Sequence, residues 1–133
     1  MTGAASSASP TTPASVRFVV SGSPVPQGSM VALANGRIRH QSSGALTAWR
    51  RAIGWTARTQ MQTQPWSGPV QVTLTFTVRN DATRPPDLDK LIRAVLDALT
   101  GIVWDDDRQV VALTATKQQG AACGVAITVT EEC

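Results

Sequence analysis

A strict alternation of apolar and polar residues from Val70 to Val78 constrains the fold more than any other feature of this chain. Valine, leucine or phenylalanine stands at every second position, and glutamine or threonine stands between them. A period of two is typical of a β-strand with one buried face and one exposed face. The segment is therefore predicted to be a strand, and other elements must cover its apolar face.

Two amphipathic helices are predicted to supply that cover. The first runs from about Ala45 to Gln62, where apolar residues recur every three or four positions. Its apolar face contains Leu46, Trp49, Ile53 and Ala57, and its opposite face contains Arg51, Trp55, Arg58 and Gln62. The second runs from Leu88 to Leu99, with Asp87 as its predicted N-cap and Gly101 as its C-terminal stop.

The other predicted elements are short. Val16 to Val20 reads as a strand, Asn35-Gly36 marks a hairpin, and Ile102 to Trp104 reads as a very short extended piece. Val110 to Lys117 and Gly124 to Thr130 are predicted to form a hairpin around "QQGAA". The resulting order predicts the α+β class, with a mixed β-sheet packed against two main helices.

One domain is predicted over residues 15–133, after a disordered tail over residues 1–14. That tail lacks the regions of a signal peptide, and no apolar run is long enough to span a membrane. Cys123 and Cys133 form neither a disulfide framework nor a zinc motif, in keeping with a reducing cytoplasm. His40 is read as an exposed residue, and no nucleotide-cofactor fingerprint occurs.

Charge is distributed unevenly along the chain, whose 133 residues have a net charge of +3. The first 80 residues contain seven arginines and no acid, whereas residues 81–133 contain five basic and nine acidic residues. Six aspartates lie between Arg84 and Val110. A basic half beside an acidic cluster suggests a polyanionic partner and a cation bound by the acidic residues. A chain whose arginines are merely solvated, with no partner, would have the same composition.

The acidic cluster offers oxygen ligands to a divalent cation. Asp87 and Asp89 bracket the start of the second helix, and carboxylates this close repel unless a cation lies between them or one is protonated. The triplet Asp105 to Asp107 adds further acids, and Mg²⁺ prefers carboxylate and water oxygens. Screening by solvent is the alternative. Asp97 is interpreted as part of a solvated i,i+4 stripe with Asp89 and Arg93.

The segment "PDLDKLIRAVLDALTGIVWDDDRQV", residues 86–110, resembles the signature of the RusA-like Holliday junction resolvases. These crossover junction endodeoxyribonucleases often occur in phages and prophages. Their pattern is D-L-D-N-L-x-K, then D-A-L, then W-x-D-D-x-Q-V. The segments "VSGSPVPQGS" and Trp49-Arg50 resemble the family's opening strand, loop and first helix, so the resemblance covers roughly residues 16–130.

The resemblance implies a homodimeric enzyme that requires Mg²⁺ or Mn²⁺ and nicks four-way DNA junctions symmetrically, in recombination and repair within a bacterial host cell. It makes Asp87, Asp89 and Asp107 the catalytic carboxylates and metal ligands, with Asp106 as a second-rank ligand. A metal-bound water would attack phosphorus in line and leave a 5′-phosphate. If the triplet were extended, Asp105 and Asp107 would point the same way and Asp106 the opposite way.

Three positions depart from the family pattern. Lys90 replaces an asparagine, Arg93 replaces an important lysine, and Met30 stands where a basic residue is usual. An arginine stays protonated, so Arg93 cannot exchange a proton, but it can stabilise negative charge on a phosphate.

Basic residues are predicted to bind the DNA arms through phosphate contacts. They are Arg37, Arg39, Arg50, Arg51, Arg58 and Lys90. Trp49 and Trp104 are assigned to the core. Trp55 either stacks on an unpaired base or lies in a dimer interface, and the dimer interface is preferred. Two alternatives stay open: a branched-DNA-binding protein that does not cleave, and a metal-dependent nuclease for other branched DNA.

Overall fold

The computed structural model describes residues 14–27, 30–32, 38–40, 43–79 and 86–132. In chain order the elements are β1 (Ser15–Ser21), β2 (Met30–Ala32), β3 (Ile38–His40), α1 (Ser43–Gln60), β4 (Val70–Val78), α2 (Leu88–Leu99), a 3₁₀ helix (Asp107–Gln109), β5 (Val110–Gln119) and β6 (Gly124–Glu131). Four strands form a sheet in the order β1-β6-β4-β5, and β2 pairs with β3 separately. The predicted α+β fold with a mixed sheet and two main helices is confirmed.

The strand β4 lies inside the sheet and has one fully buried face, as its alternating sequence predicts. The side chains of Val70, Val72, Leu74, Phe76 and Val78 are all buried. On one side β4 pairs with β6 in antiparallel register, and on the other it pairs with β5 in parallel register. A parallel connection needs a crossover, and α2 lies on the chain between β4 and β5.

The predicted C-terminal hairpin is wrong. Strands β5 and β6 are consecutive in the chain, but β4 lies between them in the sheet. Leu74 of β4 is the register partner of Ala115 in β5 and of Ile127 in β6. The difference between the last two strands is in burial, because β6 has buried side chains and takes an interior place whereas β5 has none. Most side chains of β5 are exposed, as suits an edge strand.

Both helices bury the faces that their sequences predict. Leu46, Trp49, Ile53 and Ala57 of α1 are buried, as are Leu91, Ala94, Val95, Leu96 and Leu99 of α2. These side chains and the buried face of the sheet form one apolar cluster. Each large side chain removed from water contributes about 1.5–3 kcal/mol to folding. The two predicted core tryptophans, Trp49 and Trp104, are both buried.

The predicted extended piece from Ile102 to Trp104 is wrong except at its last residue. The N–H groups of Ile102 and Val103 both donate to the Leu99 carbonyl at 3.0 Å, which closes a turn after α2. Gly101 has a φ of 91°, a conformation that favours glycine, so the predicted stop is confirmed. Trp104 alone makes β-bridges, to Trp66 and Thr100.

Several predictions fall at the edge of the described residues or beyond them. Helix α1 ends at Gln60, so Gln62 lies after it. Pairing of β2 with β3 agrees with a hairpin, whereas its predicted Asn35-Gly36 turn lies outside the described residues. Of the predicted tail over residues 1–14, only Ala14 is described. Neither described helix combines the length and apolar composition that crossing a membrane requires.

Candidate active site on α2 and the acidic turn

The first carboxylate of the D-L-D motif occupies the N-cap position of α2. Asp87 has extended backbone angles, and its carbonyl accepts the first helical hydrogen bond, from Leu91 N at 3.1 Å. Its side chain makes no capping hydrogen bond, contrary to the usual role of an N-cap aspartate. The side chain is 69 % exposed, with Lys90 Nζ 4.0 Å from Asp87 Oδ2. The carboxylate is therefore accessible to a ligand from solvent.

Two contacts from distant parts of the chain fix the start of α2. Lys117 Nζ on β5 donates to the carbonyl of Pro86 at 2.7 Å. On the other side, Gln27 N donates to the Lys90 carbonyl at 2.9 Å, and the Gln27 side chain accepts from Arg50. Gln27 thus lies beside the first turn of α2, which carries the D-L-D motif. No local sequence pattern predicts the role of Lys117, which depends on the β4–β5 pairing.

The acidic triplet forms a capped turn and not an extended segment. Asp106 is the N-cap of the short 3₁₀ helix, and its Oδ1 accepts from Arg108 N at 2.9 Å. Asp107 is the first residue of that helix, so the alternation argument for Asp105 and Asp107 does not apply. The reason is the spacing Asp106-x-x-Gln109, which forms a capping box and stabilises a helical turn.

Gln109 anchors this acidic turn to the body of the protein. Its Oε1 accepts from the backbone N–H groups of Asp105 and Asp106, each at 2.8 Å. Its Nε2 donates to the carbonyls of Trp66 and Gly68, also at 2.8 Å. All four bonds of one amide are used, so Gln109 fixes the position of Asp107. Sequence reasoning assigned Gln109 no role, although the D-x-x-Q spacing was available as a signal.

Asp106 is engaged by its own turn. Its Oδ2 lies 3.1 Å from Arg108 Nη2, and the hydrogen bonds from the Arg108 side chain and backbone hold the pKa of this carboxyl below its usual range. The same contact raises the pKa of the Arg108 guanidinium. Asp106 therefore has a structural role at the cap, and its predicted role as a second-rank metal ligand stays a prediction.

Arg93 brings the acidic turn and α2 together. Its Nη1 lies 3.1 Å from Asp107 Oδ2 and 3.7 Å from Asp97 Oδ1. The second of these is one of the two i,i+4 ion pairs that the stripe of Asp89, Arg93 and Asp97 predicts. Asp97 also accepts from Arg50 Nη2 at 3.2 Å. Asp89 precedes Arg93 by one helical turn, so the stripe of α2 that carries Asp89 is also the one that meets Asp107.

The proposed donor set suits a hard divalent cation in its chemistry, because Asp87, Asp89 and Asp107 offer carboxylate oxygens from the start of α2 and from the acidic turn. Among the described residues, which include Asp87, Asp89 and the acidic triplet, no three acids, histidines or cysteines converge as a ligand group. Instead, Lys90 Nζ lies 4.0 Å from Asp87 Oδ2, and Arg93 Nη1 lies 3.1 Å from Asp107 Oδ2. A divalent cation would have to replace those contacts.

The predicted DNA-binding residues fall into three groups. Arg37 and the side chains of Arg39 and His40 lie outside the described residues. Arg50 contacts Gln27 and Asp97, and its Nε is buried without a hydrogen-bond partner among the described residues. The remaining three, Arg51 and Arg58 on α1 and Lys90 on α2, have exposed or partly exposed side chains.

Comparison with known proteins gives one family. The model of the family described as endodeoxyribonuclease RusA matches residues 21–130, which include the D-L-D motif, Arg93 and the acidic turn. A search among curated proteins finds no match.

Proposed function

This chain belongs to the endodeoxyribonuclease RusA family, and from that premise we propose that it nicks four-way DNA junctions in a reaction that needs a divalent metal. The family is one of Holliday junction resolving endonucleases, and nucleases of this type generally depend on divalent metal ions. The observation that carries the proposal is the contact of Arg93 with Asp107, which joins the acidic turn to the stripe of Asp89.

Asp87, Asp89 and Asp107 would hold Mg²⁺, or Mn²⁺ in its place, with Asp106 as an additional candidate. When bound, the metal supplies an activated water and neutralises charge on the phosphate. The chain's own contribution is to hold the carboxylates in place before the substrate arrives. Lys117 fixes the residue before Asp87, and Gln109 fixes the turn of Asp107.

Arg93 would stabilise the phosphate at the scissile bond. Its guanidinium adjoins Asp107. An arginine can offset negative charge on a phosphate but is not suited to transfer a proton. The product would carry a 5′-phosphate and a 3′-hydroxyl.

The basic residues would bind the arms of the junction. Arg51 and Arg58 are exposed on α1, and Arg37, Arg39, Arg50 and Lys90 complete the proposed set. A homodimer with two-fold symmetry would present two sites to two opposed strands, which explains paired, symmetric nicks. The natural setting would be recombination and repair of DNA in the cytoplasm of a bacterial cell, with a phage or prophage as the source.

The test uses a labelled synthetic four-way junction and a linear duplex with Mg²⁺ or Mn²⁺. Wild type should nick the junction at paired positions and leave the duplex intact. Asp107→Asn should lower the nicking rate more than about 100-fold, while junction binding persists. Loss of a residue that only supports a metal ligand costs up to about 100-fold, so loss of a ligand itself should cost more. Asp105→Asn is the matched control, because it removes the same charge two residues away and should retain most activity. Equal losses in both variants would contradict the assignment of Asp107.

A second function is supported by the ion pairs themselves. Asp87 and Asp107 lie beside Lys90 and Arg93, as they would in a protein that binds branched DNA without cutting it. Tight junction binding with no nicks in either metal would favour this function. Arg93→Lys, which restores the family's usual residue, would then be the variant to assay next. Nicking of Y-shaped but not four-way DNA would instead indicate a nuclease for other branched DNA.

A further inference from the structure

A groove between α1 and the end of α2 contains none of the proposed metal ligands. Its volume is about 350 Å³. Gly54, Ala98 and Ile102 line it together with the side chains described below. Gly54 lets α1 approach the turn after α2, because an added Cβ would lie 3.2 Å from Ile102 Cδ1. A second hollow of about 260 Å³ shares Arg58 and Ile102 with the first, so the depression continues along α1.

The groove is positively charged. Arg50, Arg51 and Arg58 line it, and Asp97 is the carboxylate among its lining residues. Asp97 is already neutralised by Arg50 at 3.2 Å and by Arg93 at 3.7 Å. Arg51 and Arg58 have no ion pair within the described part of the chain. Two guanidinium groups are therefore available to an anionic ligand.

Trp55 gives this basic groove an aromatic surface. Its side chain is 70 % exposed, whereas Trp49 and Trp104 are buried. Arg51 precedes it by four residues and Arg58 follows it by three, so the three side chains lie along one stripe of α1. Proteins that bind single-stranded nucleic acids combine aromatic rings with cationic side chains. The bases stack on the rings, and the phosphates contact the cations.

Charge argues against a second copy of the chain as the occupant. A two-fold contact uses the same surface on both copies, so it would gather Arg51 and Arg58 of both subunits in one partly dehydrated interface. Val111 and Leu113 on the edge strand β5 are 57 % and 41 % exposed. These two apolar side chains are uncharged and would suit a contact between copies better than the groove does. The charge of the groove suits a polyanion better.

We propose that the groove binds an unpaired segment of the DNA substrate, with a base on Trp55 and adjoining phosphates on Arg51 and Arg58. The inference rests on the proposed function and extends it to the strand beyond the scissile bond. Asp97 follows Asp89 by eight residues, which is about 12 Å along α2. A stacked strand rises about 3.4 Å per nucleotide. A DNA strand bound at Asp89 would therefore reach the groove within a few nucleotides.

The experiment measures binding of labelled oligothymidylate and of blunt duplex to the full chain without divalent metal. Trp55→Ala should weaken oligothymidylate binding about ten-fold or more, because one stacked base is lost. Duplex binding should change less than two-fold or so, since paired bases are not available to the ring. Trp55→Phe retains a ring and should restore most of the affinity. Val19→Ala is the matched control, because it removes an apolar side chain that is 63 % exposed on β1 and should change neither affinity.

Three results would overturn the inference. One is an unchanged affinity of Trp55→Ala for oligothymidylate, and another is an equal loss for duplex and single strand. The third is conversion of a dimer to a monomer by Trp55→Ala in sedimentation, because Trp55 would then lie between subunits. Junction nicking is measured on the same samples. If wild type nicks the junction and Trp55→Ala binds oligothymidylate as tightly as wild type does, only the DNA-binding role of the groove is rejected. If wild type does not nick the junction, the proposed function itself is rejected.

Discussion

At the scale of single residues, the aspartates of this chain have different roles although they stand close together in sequence. Asp87 begins α2 without capping it, Asp106 caps the next turn, and Asp107 contacts Arg93. Asp106 accepts hydrogen bonds from both the backbone and the side chain of Arg108, whereas Asp107 accepts from Arg93 Nη1 at 3.1 Å. Their partners decide these roles, because each accepted hydrogen bond leaves a carboxylate fewer lone pairs for a metal. Asp87 and Asp107 are therefore better ligand candidates than Asp106.

The pKa of Asp106 should depend on Arg108. Hydrogen bonds from Arg108 lower the pKa of this carboxyl in the folded protein, so its contribution to stability is present above the unfolded pKa and is lost as pH falls through the folded value. Arg108→Gln should raise the pKa of Asp106 toward its usual range and reduce stability at neutral pH more than in acid. The contribution is small because Arg108 is exposed to solvent.

Carboxyl NMR titration of wild type and Arg108→Gln checks this shift. Arg17→Gln, which removes the same charge from β1, should leave the titration of Asp106 unchanged. An identical Asp106 titration in wild type and Arg108→Gln would contradict the assigned cause.

At the scale of elements, the site depends on contacts that join α2, the acidic turn and β5 to distant backbone. Lys117 of β5 holds the residue before α2, and Arg93 of α2 meets the acidic turn. Gln109 ties that turn to Trp66 and Gly68, which precede β4. The parallel pairing of β4 with β5 makes these contacts possible, because it returns the chain after α2 to the edge of the sheet.

Gln109→Ala should release the acidic turn from the fold. Four hydrogen bonds are lost and two partly buried carbonyls lose their donor, so the free energy of unfolding should fall by about 2–4 kcal/mol. Junction nicking should fall as well, because Asp107 is no longer held beside Arg93. Chemical denaturation and the nicking assay measure the two effects.

Gln118→Ala is the matched control for that change. Gln118 is an exposed glutamine of β5 with one side-chain hydrogen bond, to Thr77 at 3.2 Å, so its loss should cost less than about 0.5 kcal/mol. Equal costs for the two variants would show that Gln109 does not anchor the turn.

At the scale of the whole molecule, charge separates the proposed DNA-binding surface from the candidate active site. The first 80 residues contain seven arginines and no acid. Folding places Arg50 against Asp97, and it leaves Arg51 and Arg58 exposed on α1. DNA affinity should therefore depend on a subset of the basic residues and fall steeply with salt.

Arg51→Gln and Arg58→Gln should each reduce the salt dependence of junction binding. Each phosphate contact contributes about 0.7–0.9 to the slope of log affinity against log salt, so each variant should lose roughly that amount. Arg17→Gln removes an equal charge from β1 and should leave the slope unchanged. The measurement is a salt titration of binding with the Asp107→Asn protein, which keeps the junction intact. A loss of slope in Arg17→Gln as large as in Arg51→Gln would point to net charge in place of specific contacts.

Elements with a local pattern could be predicted from the order of residues. The alternation of β4, the apolar faces of α1 and α2, the N-cap position of Asp87 and the stop at Gly101 all agree with the structure. These features follow from the period of side chains along one strand or helix and from the backbone preference of glycine, and both are set by neighbouring residues.

Tertiary structure alone decided which elements meet. The order β1-β6-β4-β5 replaced the hairpin expected from consecutive strands, and it brought Lys117 to Pro86 and Gln109 to Trp66. Arg93 and Asp107 lie 14 residues apart and touch only because the turn after α2 reverses the chain. Periodicity carries no information about such pairs, since the choice of partner depends on the packing of the complete sheet and its helices.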